Sequence, residues 1–200
     1  MSPKNKTHVA ETGQDTRFVK PGEATFGLKH RVFRLLWSIT WAVACSWTPP
    51  FLRKWRIAVL RCFGADVDWN AMVYSSVSIW YPPNLSMARL STLGPKVNCY
   101  CMDKIHIGES AIVSQAAFLC GGTHDVDDEG FPLVIGPIHI GPRAWVASEA
   151  FVAPGVTLAE GAVLGARSVA AKDLEPYGIY VGNPAQYVRQ RKFAESETAS

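Results

Sequence analysis

From Ile140 onward an aliphatic residue recurs at every sixth position, each followed by a small one: Ile140-Gly141, Val146-Ala147, Val152-Ala153, Leu158-Ala159 and Leu164-Gly165. The same beat runs earlier, at Ile107-Gly108, Val113-Ser114 and Leu119-Cys120. A period of six fits neither an α-helix at 3.6 residues per turn nor a strand at two, so a larger repeated shape must set it. A solenoid of triangular cross-section satisfies it. Each hexad makes one short flat face and a corner, and three hexads close a coil of 18 residues. The aliphatic side chain points inward, the small residue lets the chain turn, and coils stack at strand spacing, about 4.8 Å.

The repeat also divides the chain. It opens after Phe63-Gly64-Ala65 with degenerate hexads at Val73, Ile79, Leu85 and Leu93-Gly94, with Tyr81-Pro82-Pro83-Asn84 as a corner turn. Imperfect first coils are expected of a solenoid end. One large interruption follows Gly121-Gly122-Thr123-His124, and the beat resumes only at Ile138-His139-Ile140. The stretch between holds Asp125, Asp127, Asp128, Glu129, Gly130 and two prolines, so residues 125–137 are expected to protrude as a loop. Loops on a rigid scaffold are where binding concentrates. The β-solenoid is expected over 63–183, with Ile179-Tyr180-Val181 as its last strand. A short helix and frayed tail are expected over 184–200, since Pro184 suits a first helical turn. Residues 28–62 read as two helices broken at Pro49-Pro50, and the polar residues 1–27 read as disordered.

Composition narrows the function classes. The 200 residues are 48% hydrophobic and 18% charged, enough for one well-filled domain whose flat faces meet other copies. A net charge of +3 is too weak to argue for nucleic acid. The cations nevertheless cluster, at Arg31, Arg34, Arg53, Lys54, Arg56 and Arg61, and again at Arg189, Arg191 and Lys192. Such clusters suit solvated faces, an anionic membrane surface for the first, or a phosphate-bearing cofactor for the second. Five cysteines without a CxxC pair point to a reducing cytoplasm and no disulfide framework. The polar start carries no secretory signal pattern. Leu35 to Trp47 is apolar but only 13 residues long, too short to span a bilayer. A helix capping the solenoid or meeting another subunit is the main reading, and peripheral contact with the inner membrane leaflet the alternative.

Together these residues resemble the hexapeptide-repeat acyltransferases, over roughly residues 63 to 192. The resemblance is carried by Thr123-His124-Asp125, Pro137-Ile138-His139-Ile140-Gly141 with Trp145, Pro154-Gly155-Val156, and Lys172-Asp173 through Gly182-Asn183-Pro184-Ala185. Phe118-Leu119-Cys120, Phe131-Pro132-Leu133 and the tryptophan-rich N-terminal helices are similar to the colanic acid biosynthesis acetyltransferase branch. The resemblance implies an all-β solenoid, a left-handed parallel β-helix, assembled as a homotrimer in the cytoplasm. It also implies acetyl-CoA as co-substrate, no metal, and a sugar hydroxyl of an exopolysaccharide or related glycan as acceptor. His124 is implied as the catalytic base, with Asn98, Asp125 and Trp145 on the acceptor side. Trp145, Ser148 and Ala166 would border the pantetheine arm, with Ala171, Lys172 and Arg189 toward the nucleotide. Relatives often carry Tyr-Asn where this chain has Tyr100-Cys101, so either Asn98 or Cys101 takes that place.

The chemistry is direct acyl transfer. Imidazole is largely a free base near neutral pH and can take a hydroxyl proton as oxygen attacks a thioester carbonyl. Gly121-Gly122 would let substrate approach the backbone. Cys120 as a covalent nucleophile is the lesser route. Two other classes are weighed: a γ-carbonic-anhydrase-like metal enzyme, with His106, His124 and His139 as ligands and the first two stacked one coil apart, and a non-catalytic scaffold. Serine acetylation is disfavoured, because the long helical N-terminal domain of those enzymes is missing.

Overall fold

A computed structural model describes residues 17–19 and 27–193. The expectations for residues 1–16, 20–26 and 194–200 lie outside the described residues, and Arg17–Val19, expected to be disordered, is a strand. From Asp66 the chain winds into a prism of three parallel sheets, with the aliphatic hexad positions inside. Ile107, Val113, Leu119, Ile140, Val146, Val152, Leu158 and Leu164 are all fully buried. Burying a side chain of this size contributes about 1.5–3 kcal/mol, so the column of inward residues is the main source of cohesion.

The first face stacks Asp66–Val67, Leu85–Met87, Ile105–Ile107, Ile138–Ile140 and Thr157–Leu158. The second stacks Met72–Val73, Thr92–Leu93, Ile112–Val113, Trp145–Val146, Val163–Leu164 and Gly178–Val181, and Gln186–Gln190 closes it antiparallel. The third stacks Ser78–Ile79, Asn98–Tyr100, Phe118–Cys120, Phe151–Val152 and Val169–Ala170. Small residues at the corners have a direct cause. A Cβ on Gly141 would sit 2.8 Å from the backbone of Ala159 and Glu160 in the next coil.

Register corrects the coil length. Ser86 lies over Asp66 and His106 over Ser86, so the first coils take 20 residues rather than 18. Only from His139 to Thr157 does the 18-residue coil appear. The surplus falls at one edge, where the third face turns into the first. The first coil spends it on the 3-10 turn Pro82–Asn84, the second on Cys101 to Lys104, and the third on the long interruption. That interruption is a β-hairpin rather than a simple loop. Gly122–His124 pairs antiparallel with Leu133–Ile135, whose other side takes Arg17–Val19.

The expected C-terminal helix is absent. Gln186–Gln190 is a strand on Gly178–Val181, because an open sheet edge there offers backbone partners that a five-residue helix would lack. At the other end are two helices, α1 (Leu28–Ala44) and α2 (Arg53–Cys62), parted at Pro49-Pro50. α1 buries Trp37 and Trp41, and the Trp37 indole N–H donates to the Ile79 carbonyl at 2.7 Å. Arg56 is buried, not part of a solvated cationic face. It donates to Val73 O, Thr48 Oγ1 and Pro49 O, tying the interhelix turn to the first coil.

Candidate active site

The hairpin carries His124 out from the long edge on a strand too short to bury it. His124 is solvent-exposed, opposite Leu133, and its Nδ1 lies 2.6 Å from the carbonyl oxygen of Phe131. A carbonyl only accepts, so Nδ1 donates this hydrogen bond, and in the neutral ring the acceptor lone pair is then on Nε2. Phe131 holds a left-handed backbone, φ 44°, which aims that carbonyl back across the hairpin. The turn is built by Asp128, whose carboxylate accepts from Gly130 N–H and whose carbonyl accepts from Phe131 N–H. One Asp125 carboxylate oxygen is engaged in the same way by Asp127 N–H, at 3.0 Å.

Gly121 and Gly122 lie where the chain packs too closely for a side chain. A Cβ on Gly121 would lie 2.7 Å from Tyr100 O, and one on Gly122 2.6 Å from Met102 Sδ. The Cys120 thiol donates to Gly122 O at 3.1 Å, and burial pushes its pKa up, which keeps it protonated and a poor nucleophile. Cys101 is buried in the edge and bonded at 3.3 Å to both backbone groups of Tyr81, so it does not point at an acceptor. Asn98 lies on the outer side of the third face beneath Phe118, whereas Tyr100 lies beneath Cys120, beside the hairpin root.

The remaining residues named in the sequence fall on other parts of the prism. Trp145 is on the second face, 45% exposed, with its indole N–H donating to Ser114 Oγ at 2.9 Å. Ser148 and Ala166 stack one coil apart on the edge between the second and third faces, where Arg167 N–H donates to Ser148 O. Ala171 and Lys172 are exposed on the same edge as the hairpin, two coils further on. They line a groove of about 350 Å³ whose other walls include Asp173, Leu174, Tyr180, Pro184 and Tyr187. Arg189 is exposed on the closing strand beside Ile179, with Nη1 bonded to Gln190 O. One chain therefore brings Lys172 to the hairpin's edge but leaves Trp145 on another face.

Two features escaped sequence reasoning. Arg34 of α1 stacks over Trp80, and Tyr100 lies next to both. The Phe131 carbonyl was equally invisible, since no side-chain pattern reports a backbone acceptor. The three-histidine metal shell is overturned: His106 lies beside His139, ring centroids 6.1 Å apart, while His124 stands out on the hairpin. Among the described residues no group of three or more His, Cys, Asp or Glu side chains is placed to hold a metal.

No model of a known protein family matches the chain. It is 40% identical over 156 residues to a protein of Escherichia coli K12 named, provisionally, colanic acid biosynthesis acetyltransferase WcaF; the match covers 78% of this chain and 86% of that one. A provisionally named acetyltransferase of Staphylococcus aureus strain COL is 34% identical over 141 residues, covering 68% and 62%. Among solved structures, a maltose O-acetyltransferase from Clostridium difficile 630 superposes with a TM-score of 0.73 at 20% identity, covering 84% and 90%. A galactoside acetyltransferase in complex with coenzyme A gives 0.69 at 22% identity, covering 88% and 93%. These structural likenesses establish the fold, a left-handed parallel β-helix. The sequence identity and the shared coil together make this chain a member of the hexapeptide-repeat acetyltransferases, in the colanic acid biosynthesis branch.

Proposed function

We propose that this enzyme moves the acetyl group of acetyl-CoA to a hydroxyl of an exopolysaccharide sugar or related glycan precursor, in one direct displacement with His124 as general base. The observation that carries the reading is the 2.6 Å hydrogen bond from His124 Nδ1 to Phe131 O, which leaves Nε2 as the acceptor. Nε2 takes the hydroxyl proton as oxygen attacks the thioester carbonyl. The tetrahedral intermediate then collapses and expels the CoA thiolate, which takes the proton back from the imidazolium. A positioned base of this kind is worth about 10²–10⁴ in rate. No enzyme nucleophile is required, in keeping with the protonated Cys120 thiol.

Acetyl-CoA is a large anionic substrate. The groove at Ala171 and Lys172 offers a cation beside the rings of Tyr180 and Tyr187; the Asp173 carboxylate in the same groove is engaged by Thr157 N–H at 2.7 Å, and Arg189 adds a second exposed cation nearby in sequence. Ser148 and Ala166 would border the pantetheine arm, and Asn98, Asp125 and Trp145 the acceptor. The names of relatives support the substrates: colanic acid biosynthesis for one, and maltose and galactoside for two structures of this fold. Another structure of this fold was solved with acetyl coenzyme A.

A homotrimer in the cytoplasm completes the reading. His124 and Trp145 lie on different sides of one prism, so a shared site would draw the second residue from a neighbouring copy. The reading is tested by incubating the enzyme with acetyl-CoA and a panel of free and undecaprenyl-linked sugars while following thiol release. Sugar-dependent release with an O-acetylated product supports it. No release with any sugar, or an N-acetylated product, refutes it.

A further inference from the structure

α1 turns two unlike faces outward and inward. Its inner face carries the buried Trp37 and Trp41, while its outer face shows Leu28, Val32, Leu35, Leu36, Ile39 and Val43, each between 48% and 75% exposed. At 100° per residue these six fall within a 100° arc, a continuous apolar stripe along the whole helix. The stripe continues beyond the helix through Trp47 and Trp55, 69% and 50% exposed. Both indole N–H groups are already spent, on Val43 O at 2.6 Å and Ala44 O at 2.8 Å, so what each ring offers outward is apolar. Folded monomers rarely leave a contiguous apolar surface of this extent uncovered.

The charge beside the stripe selects its occupant. Exposed Lys29 and Arg31 flank it on opposite sides at one end, and exposed Lys54 follows at the other. From Ala24 to Ala65 the sequence contains no Asp or Glu. A second copy meeting this face through a twofold axis would set cation against cation with nothing to neutralise them. An anionic bilayer surface supplies both missing halves: acyl chains for the stripe and headgroup charge for the lysines and arginines. Among the described residues no helix is long and apolar enough to cross a membrane, so α1 would lie in the interface plane rather than span it.

We infer that α1 docks the enzyme on an anionic lipid surface through the Leu28–Val43 stripe, with Lys29, Arg31 and Lys54 against the headgroups. The inference stands apart from the proposed chemistry, since vesicle binding is measured without acetyl transfer. The test is co-sedimentation of the full-length protein with phosphatidylglycerol–phosphatidylcholine vesicles and with pure phosphatidylcholine vesicles. The wild type is expected to pellet with the mixed vesicles and to favour them at least about tenfold over the neutral ones. The double variant Leu35→Glu with Ile39→Glu should lose about tenfold or more in partitioning, with its thermal unfolding unchanged because both side chains are exposed. Lys29→Gln with Arg31→Gln should cost roughly fivefold per charge on the mixed vesicles and nothing on the neutral ones. A wild type that stays in the supernatant with both vesicles overturns the inference. So does a double variant that keeps its vesicle binding, or one whose only change is a fall in oligomer mass by light scattering, which would make the stripe a subunit contact.

Discussion

The imidazole of His124 and the carbonyl of Phe131 face each other across the hairpin at 2.6 Å, and the φ of 44° at Phe131 is what brings the carbonyl round. The proton on Nδ1 is thereby held by backbone rather than by a carboxylate. Its geometry depends on the turn beneath it.

Asp128 closes that turn through two hydrogen bonds, to Gly130 N–H and to Phe131 N–H. Asp128→Ala removes the side-chain bond and lets the Phe131 carbonyl drift. Turnover should fall about tenfold while the KM for either substrate changes less than about twofold, because the proposed base would lose its position and no substrate contact would be removed. Steady-state kinetics with both substrates varied would check this.

Lys172 is exposed at the groove beside Tyr180 and Tyr187 and is offered as a phosphate contact. Lys172→Gln should raise the KM for acetyl-CoA about five- to tenfold and leave turnover nearly intact, because a charge-assisted contact remote from the thioester binds ground state and transition state alike. An unchanged KM would remove Lys172 from the nucleotide end.

The corner glycines predict a stability effect distinct from that of the core. In Gly141→Ala the new methyl meets backbone of Ala159 and Glu160 at 2.8 Å, and a backbone neighbour cannot swing aside. Leu158→Ala instead opens a cavity in a fully buried column. In denaturant unfolding the first should cost about 1–3 kcal/mol by strain between coils and the second about 2–5 kcal/mol by lost packing.

His106 shows the reverse of an acid-strengthened contact. Burial lowers its pKa below the ordinary 6.5, with His139 adding repulsion and Asp66 opposing it, while Ser86 Oγ sits 2.9 Å from Nδ1. The unfolded chain therefore binds the proton first as pH falls below 6.5, so the fold loses stability on acidification through that range. Thermal melts from about pH 7 to about pH 5 should show a falling Tm, with a shallower slope in His106→Asn.

The inward column was legible because one aliphatic side chain in six has no other place to go, and Leu119, Leu158 and Leu164 sit where the hexad puts them. The site edge was legible only as an interruption. Two extra residues at Pro82-Pro83 and at Met102-Asp103 carry no inward side chain to mark them, so the 18-residue spacing was carried too far back. That error stacked His106 on His124, where register puts Ser86 and His139. Leu133–Ile135 was hidden between Pro132 and Pro137, a strand too short to show a period. The polar run after Pro184 has the local look of a helix start, and only the open edge at Gly178–Val181 explains why Gln186–Gln190 is extended. The outer stripe of α1 needed the structure too, since the sequence shows amphipathic spacing without saying which face is left uncovered.

In the proposed reaction the His124 imidazole takes a proton while coenzyme A binds elsewhere. The most direct measurement compares wild type and His124→Ala for acetyl transfer in single-turnover assays and for CoA affinity by calorimetry. At least about a hundredfold loss in the transfer rate, with CoA affinity kept within about twofold, is the predicted result. A variant that transfers acetyl at nearly the wild-type rate would contradict it.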